Sequence, residues 1–266
     1  MRGLSWILFA GGLLCLIGLG AWYYGAPPRT GNAAETPAPS EEAWLDQLYS
    51  QNPSEATAAA EYVRQLGPRA LPTIHETLQD EHASTERVKA ALKACALIGA
   101  AAAPAVDEVA ESLPDPALTS EAAAALSFMG RGAFKPLRES LTSEDPVVRR
   151  ESLRSIGKLK ERAPLDGRAV LPLLVKGMED TDPGVRAVAA TYLGIVHEQP
   201  ADAVRVLVTG LEDQEVNVRR ASAAALAAFG GDADAAIPAL RKAASDSDPD
   251  VAREAGLTLV KLQESK

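Results

Sequence analysis

Aromatic residues, histidine and cysteine are all scarce in this chain of 266 residues. Aromatic side chains make up 5% of it, beside three histidines and two cysteines. Two cysteines cannot form the disulfide framework of a small cross-linked domain. Cys15 lies in an apolar N-terminal run and Cys95 in an alanine-rich segment, so we expect Cys95 to be a small buried residue rather than a disulfide partner.

An excess of positive charge is missing as well. The net charge is -9 and the pI is near 5.0. This disfavours general nucleic-acid binding, because phosphate neutralisation needs a basic surface, and we expect no nucleic-acid partner. Residues 42–145 carry 16 acidic and 8 basic side chains, whereas residues 146–266 carry 18 and 17. Local basic patches can therefore form in the second half of the chain.

What the sequence does have is a motif that repeats about every 33 residues, a proline among apolar residues at the start of a predicted helix. Its centres are Pro72, Pro104, Pro136, Pro172, Arg205 and Pro238, at steps of 32, 32, 36, 33 and 33 residues; in the fifth copy Arg205 stands in place of the proline. A fixed period in this range predicts an all-α solenoid of stacked antiparallel helix pairs rather than a globular enzyme core.

Glycine is expected to end the first helix of each pair, because it adopts the left-handed conformation that stops a helix. The predicted ends are Leu66-Gly67, Ile98-Gly99, Met129-Gly130, Ile156-Gly157 and Leu193-Gly194. A longer loop is expected between Lys158 and Arg168.

Aspartate is expected to cap the first helices of the second half, with proline or valine in the first turn. The predicted caps are Asp145, Asp182, Asp213 and Asp248. Arginines recur shortly after three of them, at Arg149, Arg186 and Arg219. We expect these arginines to pair with acidic turns along the stack.

The succession Asp-Pro-x-Val-Arg, an alanine-rich turn, Leu-Gly and a proline-led second helix resembles HEAT repeats, most of all the subtype named after phycobilisome lyases. The resemblance covers about residues 52–262. It implies a HEAT-type superhelix whose second helices line a concave surface that commonly receives a partner. Relatives of this class include lyases that act on bilin pigments and the di-iron deoxyhypusine hydroxylase.

Residues for catalysis or metal binding do not stand out. The chain has no Gly-x-Ser-x-Gly elbow and no P-loop, and serines such as Ser127 and Ser222 lie inside predicted helices. The pairs His75-Glu76 and His197-Glu198 resemble di-iron ligands but fall at different places in their repeats, so they are not expected to converge on one ion. We therefore expect no enzyme, no metal, no cofactor and no small-molecule substrate.

The N-terminus contains a candidate membrane anchor. Residues 4–24 carry no charge, and at 1.5 Å per residue a helix of this length spans about 30 Å, the thickness of a bilayer core. Small residues before Ala21 also fit a cleaved signal peptide, which leaves secretion as the alternative. With Arg2 on the starting side, the solenoid is expected outside the cytoplasm.

Three regions follow from this pattern. Residues 1–25 form the anchor or signal peptide, and residues 26–40 form a proline-rich flexible tether. Residues 41–266 form the solenoid, with about six helix pairs and capping helices at its ends; Ser40 is the expected cap of its opening helix.

One basic patch stands out in the second half. The basic stripe, defined here as Arg150, Arg154, Lys158 and Arg162, has a spacing of four that aligns side chains on one helix face. The stripe is either a solvated surface or a docking site for an acidic protein segment or anionic headgroups. The expected function is a membrane-tethered, non-enzymatic scaffold that binds a protein partner. The alternative is an enzyme or enzyme accessory of the lyase-like or di-iron kind.

Overall fold

A computed structural model describes residues 43–196 and 199–264, and its architecture is a stack of antiparallel helix pairs. The first helices are α2 (Pro53–Leu66), α4 (Thr85–Ile98), α6 (Thr119–Leu126), α8 (Pro146–Arg162), α10 (Pro183–Val196), α12 (Val216–Leu226) and α14 (Pro249–Glu264). The second helices are α3 (Leu71–Gln79), α5 (Val106–Glu111), α7 (Phe134–Glu139), α9 (Gly167–Gly177), α11 (Pro200–Gly210) and α13 (Ile237–Ala243). These residues contain no strand, so the predicted all-helical solenoid is confirmed.

A short helix, α1 (Trp44–Gln47), precedes the first pair and packs against α2 and α4. Its apolar side chains Trp44 and Leu45, and Leu48 just after it, are fully buried. These residues pack against the first helices of two consecutive repeats. Ser40, predicted to cap that helix, lies outside the described residues.

Alanine-rich first helices and leucine- or valine-bearing second helices share one continuous core. Small side chains allow close helix approach, while the larger ones fill the space between the two helices of a pair. Cys95 on α4 is fully buried, as predicted, and unpaired. Desolvation raises the pKa of its thiol to about 12, so it is a structural apolar residue rather than a nucleophile.

Two predicted glycine stops are confirmed. Gly67 and Gly99 directly follow α2 and α4 and have φ angles of 54° and 59°, a region that side chains other than glycine rarely adopt. Gly130 has a φ of 82°, but α6 already ends at Leu126, so Gly130 is not the residue that stops this helix. Gly230, with a φ of 51°, lies at the same distance after α12.

The other two predicted stops are wrong, because Gly157 and Gly194 lie inside α8 and α10. Their role is close packing between repeats. A Cβ atom at Gly157 would overlap the Tyr192 ring, and one at Gly194 would lie 2.8 Å from the Cα of Ala225. Glycine is needed at these positions so that consecutive first helices can approach each other.

The loop expected between Lys158 and Arg168 is shorter than predicted. Helix α8 continues to Arg162 and α9 begins at Gly167, where Asp166 accepts a 2.9 Å hydrogen bond from the backbone N–H of Arg168. The extra residues of this repeat therefore lengthen helix α8 at its end. As a result, the whole basic stripe lies on one helix.

The expected membrane anchor, residues 4–24, and the tether, residues 26–40, lie outside the described residues. Within the described part, residues 85–111 are apolar and long enough to cross a bilayer by length and composition alone. That segment comprises α4, a 3-10 turn and α5. Its residues Ala91, Leu92 and Cys95 have no exposed surface, so it belongs to the solenoid core.

Candidate functional site

The turns that lead into the first helices carry the most regular polar structure of the solenoid. Asp145 accepts a 2.8 Å hydrogen bond from the backbone N–H of Val147, Asp182 a 3.0 Å bond from that of Val185, and Asp248 a 3.1 Å bond from that of Val251. These three predicted caps are confirmed, and each satisfies an N–H group that the helix leaves unpaired.

The prediction that Asp213 caps α12 is wrong. The residue at the N-cap of α12 is Glu215, whose side chain makes no capping bond. Asp213 lies two residues earlier, where its carboxylate accepts a 2.9 Å hydrogen bond from the backbone N–H of Glu215. It is therefore equivalent to Asp180 and Asp246, which make the same bond to Asp182 and Asp248.

These three aspartates pair with the recurring arginines of the preceding repeats. The two hydrogen bonds of each pair measure 2.8 and 2.7 Å for Arg149–Asp180, 2.8 and 2.9 Å for Arg186–Asp213, and 2.8 and 2.9 Å for Arg219–Asp246. Such bidentate, charge-assisted pairs are short and directional. We call this series the arginine–aspartate ladder; it confirms that the arginines pair with acidic turns.

Each ladder arginine also donates hydrogen bonds to the turn that precedes its own helix. The Nη1 of Arg186 donates to the carbonyl oxygens of Asp180 and Thr181, at 2.9 and 3.1 Å. Arg149 and Arg219 make the equivalent bonds. One guanidinium thus fixes the turn before its helix and the corresponding turn of the next repeat, which sets the spacing between repeats.

The ladder lowers the pKa of all three aspartates. Hydrogen bonding to Arg149 is the main cause at Asp180, and hydrogen bonding to Arg219 is the main cause at Asp246. At Asp213 desolvation is the largest single effect and acts to raise the pKa, but bonds from Arg186 and from the backbone N–H of Glu215 outweigh it. The carboxylates are therefore held in their charged form.

The ladder spans α8 to α12 and has identifiable ends. The turn before α8 has Ser143 where the later turns have aspartate, and its Oγ accepts a 3.2 Å hydrogen bond from the N–H of Asp145. On α14 the position equivalent to the arginine is Ala252. The ladder is thus a structural feature of the central repeats, and its charges are neutralised internally.

The basic stripe divides into two parts. Arg150 and Arg154 both contact Glu151, at 3.2 and 3.4 Å. Arg162 is the last residue of α8, and its guanidinium stacks 4.1 Å from the centroid of the exposed Phe128 ring. Lys158 is half-buried between these two groups. The stripe is therefore continuous along α8, but its two ends face different neighbours.

Arg150 and Arg154 line a groove of about 680 Å³ that crosses α8, α10, α12 and α14. Two further arginines line it, Arg220 on α12 and Arg253 on α14. Small residues also line it: Gly184, Ala187, Ala221 and Ala224. We call this feature the arginine groove. It lies on the first helices, whereas the resemblance to HEAT repeats implied a binding surface on the second helices.

Arg220 and Arg253 were not singled out from the sequence, although a signal was present. Counting from the N-cap residues Asp145, Glu215 and Asp248, the fifth residue is an arginine in each case: Arg150, Arg220 and Arg253. In α10 the equivalent residue is Ala187. The periodicity of the repeat therefore places three arginines along the groove and a small residue at its centre.

Two of the candidate metal and nucleophilic residues, His75 and Ser127, have structural partners. The Nδ1 of His75 lies 2.8 Å from Glu108 Oε1 in the next repeat, which links α3 to α5. Ser127 Oγ donates to the carbonyl of Ala124. Residues 43–196 and 199–264 contain no cluster of histidine, cysteine and acidic residues suited to a metal ion. His197 and Glu198 lie outside the described residues.

Several solved structures share this fold. Kap121p is 14% identical, with 79% of this chain and 28% of that chain covered and a TM-score of 0.62. Escherichia coli YibA is 15% identical, with coverages of 85% and 93% and a TM-score of 0.52. The complex of CpcE and CpcF of phycocyanin lyase from Nostoc sp. PCC7120 is 23% identical, with coverages of 58% and 98% and a TM-score of 0.50. These identities show a common fold alone.

Sequence comparison is more specific for the repeats themselves. No curated protein matches the chain in sequence. A family model described as HEAT repeats matches residues 134–227 and 204–266, which together make half of the chain. HEAT-repeat folds commonly bind protein partners. The ladder, the helix pairs and this match agree, and the chain belongs to the HEAT-repeat family.

Proposed function

We propose that this protein is a membrane-tethered, non-enzymatic scaffold that recruits a protein partner. The observation that carries the proposal is the arginine groove, an open recess across four stacked helices that is lined by four arginines and by small side chains. A stack of repeats presents such a surface without an enclosed cavity for chemistry. The basic stripe, Arg150, Arg154, Lys158 and Arg162, is its proposed docking region.

Residues 4–24 are the proposed anchor, with residues 26–40 as a tether that keeps the solenoid near the bilayer, outside the cytoplasm. Tethering raises the effective concentration of the solenoid for a partner in or beside the same membrane. Alkaline extraction of membranes tests this part. The full chain should stay in the membrane pellet, and a form that lacks residues 4–24 should be released. Release of the full chain would support the alternative of a cleaved, secreted protein.

The scaffold function is tested by mild cross-linking of the tagged protein in its native membranes, followed by purification and mass spectrometry. We expect a partner in stoichiometric amount with the wild-type chain. The triple variant Arg150→Glu, Arg154→Glu and Lys158→Glu should lose it. If the wild-type chain enriches no protein, the scaffold proposal fails.

The alternative, an enzyme or enzyme accessory of the lyase-like or di-iron kind, makes a different prediction. Purified protein should then contain stoichiometric iron or lose an activity when His75 and His197 are replaced. The CpcE and CpcF likeness concerns the fold, and His75 is engaged by Glu108. We therefore favour the scaffold, and metal analysis of the same purified sample separates the two functions.

A further inference from the structure

The layer of second helices is interrupted at one junction. Elsewhere in the described residues successive second helices pack on each other or on the adjoining turn: α3 on α5, α5 on α7, α9 on α11, and α11 on the 3-10 turn Gly230–Ala236 before α13. Between α7 and α9 this packing is missing, and the two helices make only marginal contact. The same junction has the longest step of the repeat, 36 residues from Pro136 to Pro172.

A cleft of about 480 Å³ lies at this junction, and we call it the α7–α9 cleft. Its walls are α7 with the 3-10 turn Ser140–Thr142 on one side and α9 on the other. Each wall has one partly exposed apolar side chain, Leu141 on the turn and Leu173 on α9. Because burial of apolar surface is favourable, these two side chains favour a closer approach of α7 and α9.

The first helices α8 and α10 stay in contact beneath the cleft. Towards their N-terminal ends, Arg149 on α8 makes its bidentate pair with Asp180 in the turn before α10. Towards their C-terminal ends, Gly157 lies so close to the Tyr192 ring that a Cβ atom would overlap it. Two contacts at the two ends of a helix pair define a line, and a line of this kind is the axis of a hinge.

The same two helices separate the cleft from the arginine groove. On α8, Leu153 lines the cleft and its neighbour Arg154 lines the groove. On α10, Val185 lines the cleft and its neighbour Gly184 lines the groove. The cleft and the groove therefore lie on opposite sides of the contact between α8 and α10.

We propose that the contact between α8 and α10 is a hinge that sets the width of the arginine groove. When α7 and α9 approach each other, Leu141 and Leu173 become buried and the cleft closes. Helices α8 and α10 then turn about their contact, and Arg154 moves away from the α12 side of the groove. Separation of α7 and α9 has the reverse effect. The inference goes beyond the scaffold function, because it concerns the conformation of the protein without a partner.

Distances between spin labels, measured by double electron–electron resonance on the full chain in a neutral detergent, test the hinge. The cleft pair carries labels at Glu139→Cys and Lys176→Cys on α7 and α9, and the control pair at Lys176→Cys and Thr209→Cys on α9 and α11. The three positions are equivalent, because each is exposed and lies two residues after a fully buried leucine. All variants carry Cys15→Ser, and Cys95 is fully buried and stays unlabelled.

We expect two distances for the cleft pair and one narrow distance for the control pair. Leu141→Ser together with Leu173→Ser removes the apolar surface that favours closure, so the population at the shorter cleft distance should fall by about threefold. In the same variant a groove pair, Arg154→Cys and Arg220→Cys, should shift towards its shorter distance. Melting temperatures show whether the double variant folds, and Leu173→Ser alone replaces it if it does not.

Three results would overturn the proposal. A cleft pair no broader than the control pair would show that the junction is rigid. Equally broad distances in both pairs would show bending spread over all repeats rather than a hinge. A groove pair that stays unchanged while the cleft pair shifts would show that the hinge does not set the width of the groove. These measurements need no partner, so their outcome is independent of the proposed scaffold function.

Discussion

The guanidinium of Arg186 makes two parallel hydrogen bonds, 2.8 and 2.9 Å long, with the carboxylate of Asp213 in the following repeat. The side chains are 17% and 15% exposed, so solvent screens the pair only in part. Because Arg186 also binds the carbonyl oxygens of its own turn, this contact joins two repeats and fixes both of their turns.

Replacing Arg186 with methionine should destabilise the solenoid by about 2–3 kcal/mol, because charge-assisted hydrogen bonds are lost and Asp213 keeps its charge in a partly buried place. Urea denaturation followed by circular dichroism measures the change. Arg205→Met is the matched control, since the Arg205 side chain is 73% exposed and has only a 3.5 Å contact to Asp202; it should change stability by less than about 0.5 kcal/mol. Equal effects of the two substitutions would contradict the structural role of the ladder.

Stability should decrease in acid because of the same pairs. The pKa values of Asp180, Asp213 and Asp246 are lowered in the folded protein. As the pH falls below the ordinary aspartate pKa of about 3.9, the unfolded chain takes up protons before the folded chain does. The ladder's contribution is therefore fully present above that pH and is lost as the pH falls through the lowered folded pKa values.

Urea midpoints between pH 6 and pH 2 test this dependence. A variant with Arg149, Arg186 and Arg219 all replaced by methionine should start less stable and lose less stability in acid than the wild-type protein. Parallel curves for the two proteins would show that the ladder aspartates do not account for the acid sensitivity.

Replacement by alanine should change the stability of the protein in opposite directions at two helix-interior glycines, Gly157 and Gly256. At Gly157 a Cβ atom would overlap the Tyr192 ring, so Gly157→Ala should cost about 1–3 kcal/mol. At Gly256 nothing lies within 4 Å of the added atom, so Gly256→Ala should stabilise α14 by about 0.5–1 kcal/mol. Thermal unfolding measures both, and a stabilising Gly157→Ala would contradict the close approach of α8 and α10.

Removal of residues 180–212, one period of 33 residues, should leave a folded protein. The deletion joins Glu179 to Asp213, so Arg149 gains Asp213 as its ladder partner and Gly157 faces Ala225. Repeat stability is approximately a sum of local and neighbouring terms, so the shortened chain should melt cooperatively at a somewhat lower temperature. Calorimetry of the shortened chain tests this.

Ala224→Pro is the comparison for that deletion. A proline in the interior of α12 removes a helix hydrogen bond and should cost about 3 kcal/mol or more. If the single substitution is tolerated better than the loss of 33 residues, the modular description of the fold is wrong.

The sequence predicted the solenoid because its period, its helix caps and its apolar positions all arise from contacts local to one repeat. The predictions for Gly157, Gly194 and Asp213 failed for a common reason. Gly157 and Gly194 serve contacts with the next repeat, and Asp213 pairs with Arg186 of the preceding one. The amino-acid sequence alone does not distinguish a glycine that stops a helix from a glycine that allows a neighbouring helix to pack closely.

The arginine groove was predicted only in part, because the sequence shows neighbours within one helix but not contacts between repeats. Arg150 and Arg154 are visible as neighbours on one helix face, because a spacing of four residues is a local property. Arg220 and Arg253 join them only through the stacking of α12 and α14 across the groove. To predict the whole groove, one must know how the helices of consecutive repeats align, and the spacing of four residues within α8 does not show this.

Site-specific photo-cross-linking from Thr191 tests the central claim most directly. Thr191 is exposed in the middle of the arginine groove, and Arg205 on α11 is an exposed control outside it. With a photoreactive residue at Thr191 in the full chain, irradiation of native membranes should label one partner protein, and Arg220→Glu should reduce the yield severalfold. Equal labelling from Thr191 and Arg205, or a partner that co-purifies without any cross-link from Thr191, would contradict the account.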